Sequence, residues 1–286
     1  MFQKIKVINA LGEEEPFSER KVRRSLRKAG ANSKTIERIL NNLKSQLYNG
    51  ISTAEIFKIA KQELKKQEPA LAIKFNLKHG IRNLGPDGFS FEKYIREIFE
   101  HYGYAVKINQ YTPGRCLTYE TDLLADDGSI FYFGECKFRH EPGERLDLGV
   151  GLKLFATFLD VQDFLQKQVG QNKKIIPLLV TNAKFTNQLI QYSKCQKIKL
   201  LGWNYPKGEG LEAILERKKL YPVTILPSFR PYMNNAFGEA QIMLASDLLS
   251  MDINKIVQMV KFPTNKISVL VKEAELLLKQ GAIIKK

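Results

Sequence analysis

Leu117 to His140 has the sequence LTYETDLLADDGSIFYFGECKFRH, two extended runs separated by a turn. Ile130 to Phe138 is dense in β-branched and aromatic residues, and the turn signals Asp126-Asp127-Gly128 and His140-Glu141-Pro142-Gly143 bound it. Asp-Gly between strand-like runs is a strong hairpin signal, so Thr118 to Ala125 is expected to be the antiparallel partner. The hairpin sets Asp122 and Glu135 on neighbouring strands. Glu135 and Lys137 lie two apart, and the strand period of two points both to one face, with Cys136 on the other. Two carboxylates with an ammonium beside them suit metal-assisted phosphodiester hydrolysis. Hard oxygen ligands hold Mg²⁺ or Mn²⁺, which keeps some of its waters, while a lysine orients the attacking water or neutralises developing charge. The bland alternative is a same-face ion pair on a solvated strand, with Asp122 an ordinary hairpin residue. Against it, Ile130, Phe131, Phe133 and Phe138 are too apolar for a solvated ribbon. The charges are therefore expected at the edge of a buried sheet, where an unanswered charge is expensive.

Asp122 followed by Glu135-Cys136-Lys137 resembles the PD-(D/E)xK nuclease signature. The preceding helix, from Ser90 to Glu100, and Gly103-Tyr104-Ala105-Val106 after it resemble the opening of the Mrr-like restriction endonuclease and archaeal Holliday-junction resolvase branch. In that branch a helix glutamate completes the site, and Glu92 is the match by position. Downstream, residues 178–186, LLVTNAKFT, and 198–203, IKLLGW, resemble the later strands of the Mrr-like core. The resemblance covers residues 87–226 and implies an α/β fold with a restriction endonuclease-like αβα core. It further implies DNA as substrate, Asp122 and Glu135 as metal ligands, Lys137 at the attacking water, and Glu92 in support.

The N-terminal segment opens with a strand-like Ile5-Lys6-Val7-Ile8, then Gly12 and an acidic turn. Ser18 is a candidate N-cap for a helix that stops at Gly30, residues 33–49 carry an apolar stripe, and Ser52-Thr53-Ala54-Glu55 is a capping box for a third helix. Ala70 to Ile81 is expected to form a fourth. This order resembles the ATP-cone, the nucleotide-binding regulatory module of ribonucleotide reductases, over residues 3–86. The resemblance implies ATP or dATP as ligand, with Lys21 as phosphate contact and Lys6 and Arg24 as substitutes, because Asn9-Ala10 stand where the family carries a Lys-Arg pair. A cone kept only for docking or dimerising is the alternative.

The net charge of +15 suits a polyanionic partner. Residues 1–86 carry 18 Lys and Arg against 8 Asp and Glu, so most of the excess is N-terminal. Cys116, Cys136 and Cys195 show no metal spacing, which argues against a zinc site or disulfide scaffold. No apolar run approaches bilayer-spanning length, and a cytoplasmic protein without membrane partners is expected. A Gly-rich phosphate loop ending in Lys-Ser/Thr is missing, which gives an ATP-driven enzyme little weight.

Beyond the hairpin, residues 145–168 are expected to form a long helix, 175–181 a buried strand, 187–195 a helix and 198–202 another strand. Trp203 suits a packed rim more than base contact, although stacking on an unpaired base is the sharper alternative. From Pro227 the chain looks helical, with helices at 238–250, 253–260 and 266–280. The last pair suits either a DNA grip or plain packing. Three parts are expected: 1–86, an ATP-cone-like domain; 87–226, the nuclease-like domain; 227–286, a helical domain. The whole chain, order included, resembles prokaryotic fusions of an ATP-cone with an Mrr-like domain, which implies an endonuclease under nucleotide control. Two rivals stand beside it: a nucleotide-sensing DNA-binding regulator with an inactive nuclease fold, and an RNA-processing nuclease. Cutting both strands of a duplex would favour a homodimer, and no interface is legible.

Overall fold

The computed structural model describes residues 5–84 and 91–279. The turn cluster at 85–88, Ser90 and Gly281 lie outside the described residues. The chain forms two compact units, one of Met1–Asn83, Pro222–Pro231 and Leu244–Lys286, the other of Leu84–Tyr221 and Tyr232–Met243.

The first unit begins with β1 (Lys6–Ile8), β2 (Glu14–Pro16), α1 (Glu19–Lys28), α2 (Ser33–Gln46), β3 (Ile51–Ser52), α3 (Thr53–Gln67), α4 (Pro69–Phe75) and α5 (Leu77–Arg82). Side-chain caps start its longer helices. Ser18 accepts the Lys21 N–H, Asn32 that of Thr35 and Ser52 that of Glu55, each satisfying a donor the helix itself leaves unpaired. The expected acidic turn is partly a strand: β2 runs antiparallel to β1, and Asn9 closes the hairpin by accepting the N–H groups of Leu11 and Glu13. The expected fourth helix is broken into α4 and α5 at Asn76, whose N–H bonds back only three residues to Ile73. Leu26, Ile36, Ile39, Leu40 and Leu64 form the core between these helices.

The second unit holds α6 (Phe91–His101), β4 (Ala105–Pro113), β5 (Thr118–Asp126), β6 (Ile130–Lys137), β7 (Arg145–Leu146), α7 (Leu148–Val169), β8 (Lys174–Thr181), β9 (Lys184–Phe185), α8 (Asn187–Cys195), β10 (Lys199–Leu201), α9 (Leu211–Lys218) and α10 (Asn234–Glu239). Its five-stranded sheet has the order β10-β8-β6-β5-β4. The β4–β5–β6 meander is antiparallel, while β6, β8 and β10 run parallel, so α7 and α8 serve as the crossovers that parallel neighbours need. The two sheet faces are covered differently. Phe133 packs with Leu154, Val161 and Leu165 of α7. Tyr132, one residue back and on the opposite face, meets Tyr104, which in turn meets Phe99 of α6. Gly134 allows β5 to come close: a Cβ there would lie 3.0 Å from the Leu123 Cβ and 3.1 Å from its carbonyl oxygen. Trp203 is buried, so its indole packs inside this unit.

The C-terminal expectation needs two corrections. The helix expected at 238–250 is replaced by α10, a non-helical stretch in which Ile242, Met243, Leu244 and Ala245 are all buried, and α11 (Asp247–Ser250). Four consecutive buried residues do not suit an amphipathic helix, which buries only one stripe. Residues 227–286 also do not stand apart as a third compact unit. α11, α12 (Ile253–Val260) and α13 (Thr264–Lys279) belong with the N-terminal helices, and α13 buries Ile267, Leu270, Ala274 and Leu277 where it packs on α4, α11 and α12. Thr224 donates to the Gly80 carbonyl and Ser228 to Glu273 within the same unit.

Candidate functional site

Asp122 stands where the β5–β6 ladder ends. The two strands pair as far as Leu123–Gly134, and one more step in that register sets Asp122 beside Glu135. There the Asp122 carboxylate accepts the Cys136 N–H at 2.8 Å, taking the place of a strand partner. On its other side the β4–β5 register passes from Ile108–Leu123 to Gln110–Thr121, so Asn109 falls opposite Asp122, with φ at 52°. Asparagine tolerates that left-handed conformation better than most residues, and the kink interrupts the ladder beside the carboxylate.

Glu135 and Lys137 share a face, as the strand period requires, and their side chains form an ion pair. Both are half-buried, with side-chain exposures of 21% for Glu135 and 33% for Lys137. Cys136 points the other way and is buried; burial first, then the charges of Asp122, Glu92 and Glu135, push its thiol well up, which leaves it inert. Burial and the neighbouring Glu135 raise the Asp122 carboxyl to about 6, with Glu92 adding to the effect and the Cys136 N–H and Lys137 opposing it. Burial alone would lower Lys137, but Glu135 and Asp122 outweigh it and raise the ammonium, which therefore stays charged. Glu92, in the first turn of α6, thus contributes its charge at the site. Among the described residues no three His, Cys, Asp or Glu side chains form a metal-binding group, so Glu92 does not join Asp122 and Glu135 in a three-carboxylate cage.

Residues outside the expected set hold this arrangement. Thr181, at the end of β8, donates to the Lys137 carbonyl at 2.6 Å, and Asn182 exchanges hydrogen bonds with both the N–H and C=O of Arg139. The VTN run thereby fixes the backbone just past the lysine. Asp160, 7% exposed within α7, accepts the N–H groups of Cys116 and Leu117 and so ties down the β4–β5 connection. Burial would raise its carboxyl, but those donors, with the Cys116 thiol and Tyr119 hydroxyl, outweigh it and hold the carboxyl down. Nothing local in the sequence marks this role, because α7 also carries Lys153, Asp163 and Lys167.

In the first unit a cleft of about 210 Å³ is lined by Val7, Phe17, Val22, Phe57 and Phe75, with Lys21 and Glu15 among its polar residues. Lys21 and Glu15 pair at 2.8 Å. Lys6 and Arg24 do not line the cleft; Lys6 is exposed and paired with Glu14 at 2.9 Å, and Arg24 is exposed on α1. Asn9 is occupied by the β1–β2 turn.

Residues 5–77 match the ATP cone domain family. An "Uncharacterized protein" of Archaeoglobus fulgidus is 37% identical over 136 residues, which cover 46% of this chain and 71% of that relative. A solved structure titled "Crystal Structure of Protein of Unknown Function AF1548" superimposes with a TM-score of 0.56 at 29% identity, covering 65% of this chain and 96% of that one. The chain belongs to the AF1548 family. Within this AF1548-family chain the ATP cone is confirmed over residues 5–77. Its cleft lies wholly inside that match. The architecture is mixed α/β with a helical N-terminal region. Among the described residues no helix is long and apolar enough to cross a membrane.

Proposed function

We propose that the chain is a Mg²⁺-dependent nuclease that hydrolyses DNA phosphodiester bonds at Asp122, Glu135 and Lys137, with the ATP cone making that activity respond to ATP or dATP. The observation that carries it is the carboxyl of Asp122, half-buried beside Glu135, raised to about 6, and sharing one lysine with its neighbour. The order α6-β4-β5-β6-α7-β8, with helices on both sheet faces, supports a restriction endonuclease-like core of the Mrr-like kind.

The donor set fits a hard divalent cation. Asp122 and Glu135 offer adjacent carboxylates in a site short of positive charge, and an ion that keeps several waters needs no further protein cage. Bound there, the ion would polarise the scissile phosphate and lower the pKa of a coordinated water. Lys137 is kept protonated, so it acts as a hydrogen-bond donor and counter-charge and not as a base. Glu92 adds negative charge from the helix side, which strengthens cation binding at Asp122.

The test is digestion of duplex DNA, branched DNA and structured RNA across Mg²⁺ and Mn²⁺ concentrations, with and without ATP, for the wild type and Asp122→Ala. Metal-dependent cutting of DNA that the variant loses is the expected result. A variant that cuts normally overturns the site assignment. Equal rates with and without ATP remove the regulatory half, and preferential cutting of RNA moves the substrate class. No cutting under any metal, with DNA binding that responds to ATP, would instead identify a non-catalytic nucleotide-sensing regulator.

A further inference from the structure

A second cavity, of about 200 Å³, opens in the second unit on the sheet face opposite Glu135 and Lys137. Tyr132 of β6, Leu178 of β8 and Lys199 of the edge strand β10 form its floor, with Tyr102 and Tyr104 as walls and Arg217 from the last turn of α9. Tyr132 lies three residues before Glu135, about 10 Å along the strand. The cavity therefore does not belong to the carboxylate–lysine site.

Its chemistry is specific. Among the described residues neither Lys199 nor Arg217 has a carboxylate within ion-pair distance, and Glu209 at the same opening is likewise unpaired. The hydroxyls of Tyr104 and Tyr132 also make no hydrogen bond among those residues. The Tyr102 ring is fixed in place, its hydroxyl donating to the Ile214 carbonyl at 2.9 Å and Lys218 Nζ lying 4.5 Å from its centroid. The volume equals about seven waters at ~30 Å³ each, room for one aromatic ring system.

We propose that this cavity binds a nucleotide by its base, with the ring among Tyr102, Tyr104 and Tyr132 and the phosphate outside on Lys199 and Arg217. Tyrosine faces receive any base by stacking, and unsatisfied phenol hydroxyls can bond to base edges. Glu209 accepts a hydrogen bond from an exocyclic amino group such as those of adenine and cytosine. Two cations without protein partners receive a phosphate with no ion pair to break.

Calorimetric titration of the full chain with AMP, CMP and a short single-stranded oligodeoxynucleotide tests this, with Lys199→Ala/Arg217→Ala beside Lys21→Ala. Both altered cations of the double variant are exposed, so folding should survive, and circular dichroism checks that it does. Binding that weakens at least tenfold in the double variant and persists in Lys21→Ala supports the site. Tighter binding of the free monophosphate then identifies a soluble nucleotide as the occupant, and tighter binding of the oligonucleotide identifies a base of a strand. Binding that is lost in Lys21→Ala and kept in the double variant belongs to the cone and overturns the proposal, as does no binding in any chain.

Discussion

The carboxylate–lysine site of β5 and β6 and the cleft of the ATP cone both bring acids and lysines together, but they balance charge in opposite ways. In the cone Lys21 at the cleft pairs with Glu15 and Lys6 beside it with Glu14, and both lysines are exposed. In the sheet, one lysine faces Glu135 and Asp122 with Glu92 nearby, all in a half-buried setting. Exposed pairs contribute little to stability, about 0.2–1 kcal/mol each, and can be exchanged for another anion at small expense. A buried carboxylate without its own cation destabilises the fold until something positive arrives. Under the proposed function, the cone would trade one anion for another and the sheet site would receive a cation.

The largest effect that would sharpen this contrast is on cleavage. Lys137→Ala should slow metal-dependent DNA cutting by about a hundredfold or more while leaving the carboxylates able to bind metal. A smaller effect falls on stability. Asp122 has a pKa of about 6 in the fold against 3.8 ordinarily, so between those values the native chain binds more protons than the unfolded one. Stability from this group is therefore full below the ordinary value and falls as pH rises through the window. Asp122→Asn, which keeps an acceptor for the Cys136 N–H, should stabilise the chain by about 1–2 kcal/mol at pH 8, after discounting for partial exposure, and by only about a few tenths of a kcal/mol at pH 4. Thermal melts at the two pH values check this; a variant equally stable to the wild type at pH 8 would break the contrast. The smallest effect lies in the cone. Glu15→Gln frees Lys21 of its competitor and should tighten ATP binding by a few-fold, the size of an exposed pair; weaker binding would mean that Glu15 helps to hold the ligand.

Local chemistry made much of this legible in the sequence. Asp127-Gly128 announced the β5–β6 hairpin, and the period of two put Glu135 and Lys137 on one face. Asn187–Cys195 and Ile253–Val260 formed as helices over their expected spans. Contacts between distant residues were less visible. Nothing near Asp160 in sequence indicates that it holds the N–H groups of Cys116 and Leu117, more than forty residues away. The left-handed Asn109 opposite Asp122 depends on the register of two strands and not on its neighbours. The grouping of α13 with α4 likewise follows from an apolar stripe that names no partner. Lys6 and Arg24 carry the charge that the ATP-cone resemblance asks for, but neither is in the lining of the cleft.

The most direct measurement is cleavage of duplex DNA by the full chain as a function of Mg²⁺, for the wild type and Glu135→Gln side by side. Saturable Mg²⁺-dependent cutting by the wild type is expected, abolished by chelation and reduced at least about a hundredfold in the variant. Equal cutting by both chains, or wild-type cutting that survives chelation, would contradict it.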